Sequence, residues 1–197
     1  ARIARISFSG ELAYEINVPA VYGLHIWESV MAKGADLNVT PYGTETMHVL
    51  RAEKGFVIVG QETDGTQTPD DLDMNWIVSK KKDDLIGKRS FSRADTAREG
   101  RHQLVGILGD DGSYVIPEGA YIVAGADANT APPVKHIGYI TSSYDSAALG
   151  RSFALALVAN GLARKGEKIA IPMADRVVTG VITDSVFVDK ENTRRDG

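Results

Sequence analysis

The sequence contains no cysteine among its 197 residues. This absence excludes disulfides, thiol nucleophiles and thiolate metal sites, and it suits a reducing compartment, so we expect the protein to reside in the cytoplasm. Long apolar runs are missing as well. The longest, residues 153–159, is far too short to span a bilayer, and the N-terminus lacks the basic and apolar segments of a signal peptide. The sequence therefore predicts neither export nor membrane attachment.

Charge of one sign is not concentrated in any part of the chain. Lysine and arginine number 22 against 26 aspartate and glutamate residues, which gives a net charge of −4, and no basic block is dense enough to bind nucleic acid. The four histidines, His25, His48, His102 and His136, are scattered without metal-ligand spacing, and no glycine-rich phosphate loop is present. We expect neither a nucleic-acid partner nor a metal ion.

The hydrophobic content, 43%, is sufficient for the core of one large domain or two small ones. Apolar and polar residues alternate within residues 3–19, which predicts two strands and places Glu15 on a polar face. Helical spacing predicts helices over residues 20–33 and 44–54. The first helix is expected to bury one apolar stripe, formed by Leu24, Trp27, Val30 and Met31. This order of elements predicts an α+β layer.

From residue 60 onward the composition of the chain and the spacing of its apolar residues differ from those of the first part. Residues 60–87 form a long excursion rich in Asp, Gly, Thr and Pro, and a short charged helix is predicted over residues 88–98. We place a domain boundary at residues 99–101, which divides the chain into domains 1–98 and 102–190. Short strands at regular spacing then predict a small β-barrel or sandwich. The predicted strands are residues 103–108, 120–123, 135–141, 152–158, 168–171 and 176–188.

Few residues indicate chemistry by their pattern alone. The four aspartates Asp64, Asp70, Asp71 and Asp73, with lysines 80–82 nearby, indicate a solvated, charge-balanced surface rather than an acid–base site. Residues 109–112 lack the periodic ligands of a calcium loop and indicate a tight turn. Glu15 offers two coplanar acceptor oxygens that suit a pterin, a guanine or a guanidinium group. By alternation alone, however, a solvent-exposed glutamate explains this position better than a ligand contact.

Several stretches in order along the chain resemble the folate-dependent aminomethyltransferases related to the glycine-cleavage T-protein. The family patterns are T-G-E-x-x-[FY]-E-[IL]-x-[VL]-P, L-R-L-E-A-G, G-x-E-x-D followed by T-P, I-G-[KR], and T-S-G followed by L-G-[KR]-x-[IF]-A-[LM]. The matching residues are 9–19, 50–55, 60–64 with 68–69, 86–88, and 141–143 with 149–152. The resemblance implies an α+β fold made of the second part of a T-protein-like folate-binding domain and a C-terminal β-barrel.

Four further stretches narrow the resemblance to the sarcosine oxidase α-subunit branch, namely residues 48–56, 72–76, 141–144 and 194–197. Such enzymes oxidise sarcosine to glycine and hydrogen peroxide, and tetrahydrofolate captures the one-carbon unit as 5,10-methylenetetrahydrofolate. The resemblance implies folate and the other sarcosine oxidase subunits as partners. It also implies FAD, FMN and NAD in the parent complex, at sites outside these residues. Ala1 opens onto a strand-like run without an initiator methionine, so we expect a segment of a longer protein.

The resemblance also assigns site residues. The glutamate that matches Glu15 binds the pterin ring in this family, and Glu11 and Tyr14 are weaker neighbours, with Tyr14 expected in the core. Arg51 matches the second arginine of the family's A-R-D-[ST]-L-R stretch, for which a ligand contact and a structural role on the helix surface both remain open. Met47 replaces the first arginine, so that ligand contact is not carried over. The family's catalytic aspartate has no counterpart here, which predicts that this part alone is inactive.

Two other functions remain open. One is another enzyme of the same superfamily, either a stand-alone aminomethyltransferase or a dimethylglycine-oxidising relative. The other is a non-enzymatic folate-binding or scaffold module, in which the barrel serves mainly for subunit contact. A dinucleotide-binding glycine motif preceding this region would favour the sarcosine oxidase branch.

Overall fold

The structure, a computed structural model, describes residues 1–196. Its fold consists of an α+β layer followed by a closed β-barrel. The predicted fold class is thereby confirmed, while Gly197, the last residue of the C-terminal stretch quoted above, lies outside the described residues. The strands are β1 (Arg2–Ala4), β2 (Glu15–Asn17), β3 (His102–Gly109), β4 (Tyr121–Ala124), β5 (Gly138–Ser146), β6 (Arg151–Ala159), β7 (Lys168–Pro172) and β8 (Val177–Thr183). The α-helices are α1 (Gly23–Lys33), α2 (Thr44–Glu53) and α3 (Thr193–Asp196).

The barrel closes in the order β3-β6-β5-β4-β7-β8, with every neighbouring pair antiparallel. All six strands predicted for this region are present, but the strand predicted over residues 176–188 ends at Thr183 and the one predicted over residues 135–141 runs from Gly138 to Ser146. The closed order decides between the barrel and the sandwich. Closure leaves no strand edge unpaired. The interior is filled by aliphatic side chains from all six strands, among them Val105, Ile122, Ile140, Ile169 and Ile182.

Strand β6 is apolar on both faces because it has a core on each side. Ala154, Ala156 and Val158 point into the barrel. Phe153 and Leu155 alternate with them and pack, outside the barrel, in a second cluster with Ala52 of α2. A strand buried on both faces reads as a continuous apolar run rather than an alternating one. The outer face of β6 is thus where the α+β layer docks on the barrel.

Helix α2 agrees with its prediction and ends at a glycine. Lys54 caps the helix, and Gly55 follows with φ of 68°. A Cβ at Gly55 would also lie 2.7 Å from the carbonyl oxygen of Ser185. Both the left-handed backbone and the close approach of the C-terminal segment therefore require glycine here.

The first part of the layer is more exposed than predicted. Strands β1 and β2 form a two-stranded antiparallel sheet in which Ile3 faces Ile16, and these side chains are 65% and 42% exposed. The predicted buried stripe on α1 is wrong, because Leu24 and Trp27 are 69% and 55% exposed. The barrel packs against α2 rather than α1, so no element within residues 1–196 covers the stripe. No helix in this range is long and apolar enough to cross a membrane.

The predicted charged helix over residues 88–98 is wrong as well. Only a short 3-10 helix forms, over Lys88–Ser92. Ser92 Oγ donates to the carbonyl oxygen of Arg89 at 3.0 Å, and Thr96 Oγ1 donates to the carbonyl oxygen of Ser90. Hydroxyl groups that bind nearby backbone in this way compete with the α-helical ladder.

Candidate functional site

The predicted pterin ligand, Glu15, lies at the start of β2, where it faces Ala4 of β1. Its side chain is exposed. Within residues 1–196 no protein donor contacts its carboxylate, so both oxygens are available to a ligand. A carboxylate on a strand, with two coplanar acceptors, can receive two parallel N–H bonds from one planar group.

The two neighbours predicted for Glu15 lie close to it in sequence but point to different tasks. Tyr14 is 59% exposed, so its predicted core position is wrong, because no element of the described chain packs on that side of β2. Glu11 Oε1 lies 3.5 Å from Arg194 Nη1. Both side chains of this pair are about half exposed, and such surface pairs contribute little to stability. Tyr14 is available for a ring contact, whereas Glu11 connects to the C-terminal segment.

Arg51 is not on the helix surface. Its side chain is 0% exposed, so the helix-surface position, one of the two alternatives left open by the sequence, is wrong. Nη1 donates to Glu62 Oε2 at 2.8 Å and to the carbonyl oxygen of Phe56 at 3.1 Å, and Nη2 donates to Ser142 Oγ at 2.7 Å. The guanidinium group thus faces protein on all these sides, and none of these partners belongs to the strand that carries Glu15.

Glu62 completes this buried network, which the sequence analysis did not identify. It is 0% exposed, accepts a bond from the backbone N–H of Ile58 at 2.7 Å, and accepts another from the Ser142 hydroxyl. Gln61 Nε2 adds a bond to Ser142 Oγ at 2.9 Å. Arg51 belongs to α2 and Ser142 to β5, so the network ties the helix to the barrel through the loop that carries Glu62. The three family-like stretches that supply these residues meet at this point.

Asp71 forms a second buried ion pair and corrects another prediction. It is 2% exposed, whereas the sequence analysis placed it on a solvated surface. Arg101 Nη2 donates to Asp71 Oδ2 at 2.7 Å and Arg101 Nε to Oδ1 at 2.9 Å. Burial alone would raise the pKa of Asp71, but the bonds from Arg101 and Thr68 outweigh it and hold the pKa below its usual value. The pair fastens the excursion of residues 60–87 to the start of the barrel.

Two of the cavities that adjoin the α+β layer are larger than 400 Å³. The first, about 430 Å³, lies between the β1–β2 connection and the C-terminus and is lined by Arg5, Ile6, Ser7, Ala13, Phe56, Arg195 and Asp196. The second, about 410 Å³, lies between α2 and the barrel and includes Glu45, His48, Gln61 and Glu118 in its lining. Neither is lined by Glu15. Within residues 1–196 no group of three or more histidine, aspartate or glutamate side chains is arranged to hold a metal ion.

Comparison with known proteins agrees with the two-part architecture. Residues 1–82 match the model of the GCVT N-terminal domain, and residues 102–189 match that of the glycine cleavage T-protein C-terminal barrel domain. The chain therefore belongs to the glycine-cleavage T-protein family. More specifically, over its whole length it is 55% identical to the sarcosine oxidase α subunit of Corynebacterium sp. (strain P-1), of which it spans 20%.

Similarity to aminomethyltransferases is lower but also extends over nearly the whole chain. The enzyme of Thermosynechococcus vestitus is 32% identical over 187 residues, which are 95% of this chain and 47% of that protein. The crystal structure of glycine cleavage system aminomethyltransferase T from Bartonella henselae superimposes with a TM-score of 0.81 at 21% identity, over 95% of this chain and 50% of that one. The structural match supports the fold, and the chain spans half or less of each of these relatives.

Proposed function

We propose that this chain is the folate-binding part of a sarcosine oxidase α-type subunit. The observation that carries the proposal is the 55% identity over all 197 residues to such a subunit. The two matched family domains, residues 1–82 and 102–189, support a division into domains 1–98 and 102–190. In this proposal the barrel helps to close a folate site between the domains, which is a common location for ligands.

Glu15 is proposed to bind the pterin ring of tetrahydrofolate. Its exposed carboxylate can accept two N–H bonds from the ring, and a charge-assisted pair of this kind fixes orientation as well as adding affinity. Tyr14, exposed beside it, is proposed to lie against the ligand, and Glu11 to contact it only indirectly. Arg51, fully buried, is proposed to act by holding the barrel against α2.

The complete protein is proposed to oxidise sarcosine with O₂, giving glycine and hydrogen peroxide, while tetrahydrofolate takes the one-carbon unit as 5,10-methylenetetrahydrofolate. FAD, FMN and NAD are proposed to bind outside these residues, and the oxidation of sarcosine is proposed to take place there as well. The part described here would contribute binding and orientation, because a fixed pterin presents its nucleophilic nitrogens to the incoming carbon. It is proposed to have no activity of its own.

An aminomethyltransferase is the second candidate, favoured by the 32% identity over 187 residues. Both candidates use the same folate site, so the complete natural protein separates them. A dinucleotide-binding glycine motif elsewhere in it supports the sarcosine oxidase branch. Oxidation of sarcosine by the purified protein supports it directly, and transfer of an aminomethyl group without any oxidation supports the aminomethyltransferase. A folate-binding or scaffold module would have neither activity.

The test of the folate site is Glu15→Gln in the complete natural protein, with Glu28→Gln as control, since Glu28 is an exposed carboxylate on α1. We expect Glu15→Gln to weaken tetrahydrofolate binding by at least about tenfold, because hydrogen bonds to a charged group contribute roughly 1.5–3 kcal/mol each. The rate of sarcosine oxidation without folate should not change. Anaerobic calorimetry measures the affinity, and an unchanged Kd would remove Glu15 from the site.

A further inference from the structure

We infer that the C-terminal segment, residues 184–196, is a latch that positions the strand carrying Glu15, and that Lys54 is the residue through which it is fastened. The segment leaves the barrel after β8 and returns to the α+β layer. Its path brings residues 194–196 against the connection between β1 and β2. The inference rests on the proposed folate role of Glu15 for its functional consequence, but not for the latch itself.

The first attachment of the latch is at the end of α2. The backbone N–H groups of Phe187 and Val188 donate to the carbonyl oxygen of Glu53 at 2.8 and 3.0 Å. This carbonyl lies in the last turn of the helix, where no intrahelical donor remains. The ring of Phe187 packs against Phe153 of β6, with centroids 4.8 Å apart. The latch therefore caps α2 and is held between the helix and the barrel.

The second attachment is the ammonium group of Lys54, which is buried under the latch. The residue is 4% exposed. Its Nζ donates to the carbonyl oxygen of Asp189 at 2.5 Å, to Asn192 Oδ1 at 3.0 Å and to Asp189 Oδ2 at 3.4 Å. An ammonium group has three protons, and each meets an acceptor of the latch. A lysine is rarely this buried unless it is paired in this way.

Asp189 orders the remainder of the latch. Its Oδ1 accepts the backbone N–H of Thr193 at 2.8 Å, and its Oδ2 accepts the backbone N–H of Arg194 at 3.2 Å. These bonds hold the pKa of Asp189 at about 2, against an ordinary 3.8, with the Thr193 hydroxyl as the largest cause and Lys54 contributing. The carboxylate that receives Lys54 thus also binds the N–H groups of the first two residues of the short helix α3.

The end of the latch contacts the β1–β2 connection. Leu12 lies three residues before Glu15, and its backbone N–H donates to the carbonyl oxygen of Arg194 at 3.0 Å. Arg5 Nη2 donates to the carbonyl oxygens of Arg195 and Asp196 at 3.2 and 2.8 Å. Within residues 1–196 the short two-stranded sheet has no other sheet partner, so these bonds are among the contacts that fix its connection.

Gly10 places this connection directly over Lys54. It is buried with φ of 87°, and a Cβ at this position would lie 2.0 Å from Lys54 Cγ. The lysine stem is therefore covered by the β1–β2 connection while its ammonium group holds the latch. The Lys54 side chain therefore contacts both the latch and the β1–β2 connection that the latch holds in place. These two contacts make Lys54 a positioning residue for Glu15.

The experiment uses four single variants and one double variant of the complete natural protein. Lys54→Met keeps the apolar stem and removes the ammonium group. Asn192→Gly removes a single acceptor at a position whose left-handed backbone, with φ of 60°, suits glycine, and it serves if Lys54→Met does not fold. Lys190→Met is the matched control, because Lys190 lies in the same segment but pairs with Asp184 at 2.7 Å. Glu15→Gln is made alone and combined with Lys54→Met.

The first readout is amide hydrogen exchange, which is independent of folate. We expect Lys54→Met, and more weakly Asn192→Gly, to accelerate exchange in residues 5–17 and 186–196, with the barrel strands unchanged and Lys190→Met like the wild type. Contacts that fix a short exposed sheet determine how often it opens. Unchanged exchange in residues 5–17 would overturn the latch.

The second readout is the Kd for tetrahydrofolate. We expect Lys54→Met to weaken binding about tenfold and to add no further loss in the Glu15→Gln background, because residues that act through one another are not additive. Additive losses, or an unchanged Kd while Glu15→Gln is weakened, would overturn the positioning role. If Glu15→Gln itself binds like the wild type, the proposed folate site fails, and hydrogen exchange alone decides whether the latch exists.

Discussion

Removing the guanidinium group of Arg51 tests how the barrel is joined to α2. In Arg51→Met a side chain of similar length stays buried, but four donated bonds are lost, to Glu62 at 2.8 Å, to Phe56 at 3.1 Å, to Ser142 at 2.7 Å and to Tyr144 at 3.4 Å. The carboxylate of Glu62, itself 0% exposed, then has no cation beside it. Only the N–H of Ile58 and the Ser142 hydroxyl remain as donors.

The expected loss follows from this uncompensated charge. Breaking a buried pair by removing one partner costs about 3–5 kcal/mol, because the remaining ion is kept from water. We expect Arg51→Met to lower the free energy of unfolding by this amount. Glu62→Gln, which leaves the guanidinium without its anion, should cost about as much. The double variant has no uncompensated charge, so it should be less destabilised than the sum of the two single variants by about 2–3 kcal/mol.

Urea unfolding followed by far-UV circular dichroism measures the four proteins of this cycle. Arg98→Met is the control, because Arg98 forms an exposed pair with Asp95, at 51% and 61% side-chain exposure, and exposed pairs contribute little. The reasoning is refuted if Arg51→Met loses less than about 1 kcal/mol, since that value is typical of an ordinary hydrogen bond. Strictly additive single and double variants would refute it as well.

Two further predictions concern the other buried charges. Asp71→Asn should lower the free energy of unfolding by about 1.5–3 kcal/mol, because its bonds to Arg101 are weakened. Limited proteolysis should then cut residues 60–87 faster than in the wild type. Equal cleavage rates in Asp71→Asn and in Asp64→Asn, a variant of an exposed residue, would contradict this prediction. Asp189 has a folded pKa of about 2, below its ordinary 3.8, so its contribution to the latch is present above pH 3.8 and is lost as the pH falls through about 2. The ¹³C shift of its carboxyl group should titrate in that range, and a midpoint at or above 3.8 would be inconsistent with the bonds it accepts.

Local patterns were enough to predict most of the secondary structure. Helix α2 and the six barrel strands follow from residue spacing, because a helix or strand in a packed domain must repeat its apolar residues at its own period. The pattern could not decide whether the strands form a barrel or a sandwich, since closure depends on which strands pair. It also failed for residues 88–98, where hydroxyl side chains bind the backbone locally.

The site is divided in the same way. Glu15 is a proposed ligand through resemblance alone, and its exposed position on β2 is as the alternation indicated. Tyr14 and the α1 stripe were predicted to be buried but are exposed. The prediction failed because periodicity shows which face of an element is apolar but not whether another element covers that face. The burial of Arg51, Glu62 and Asp71 had no local signal, as charged residues are rarely buried unless they are paired.

The sequence by itself determined the class of fold, through the periodicities of its apolar residues and its family-like stretches. The absence of cysteine, also a property of the sequence alone, excluded disulfides and thiolate sites. The tertiary structure alone decided which charges lose their water. Arg51 meets Ser142, Arg101 meets Asp71, and Lys54 meets Asp189 and Asn192 only after the chain has folded. The physical reason is that burial and ion pairing depend on partners distant in sequence, whereas the period of a strand or helix is written locally.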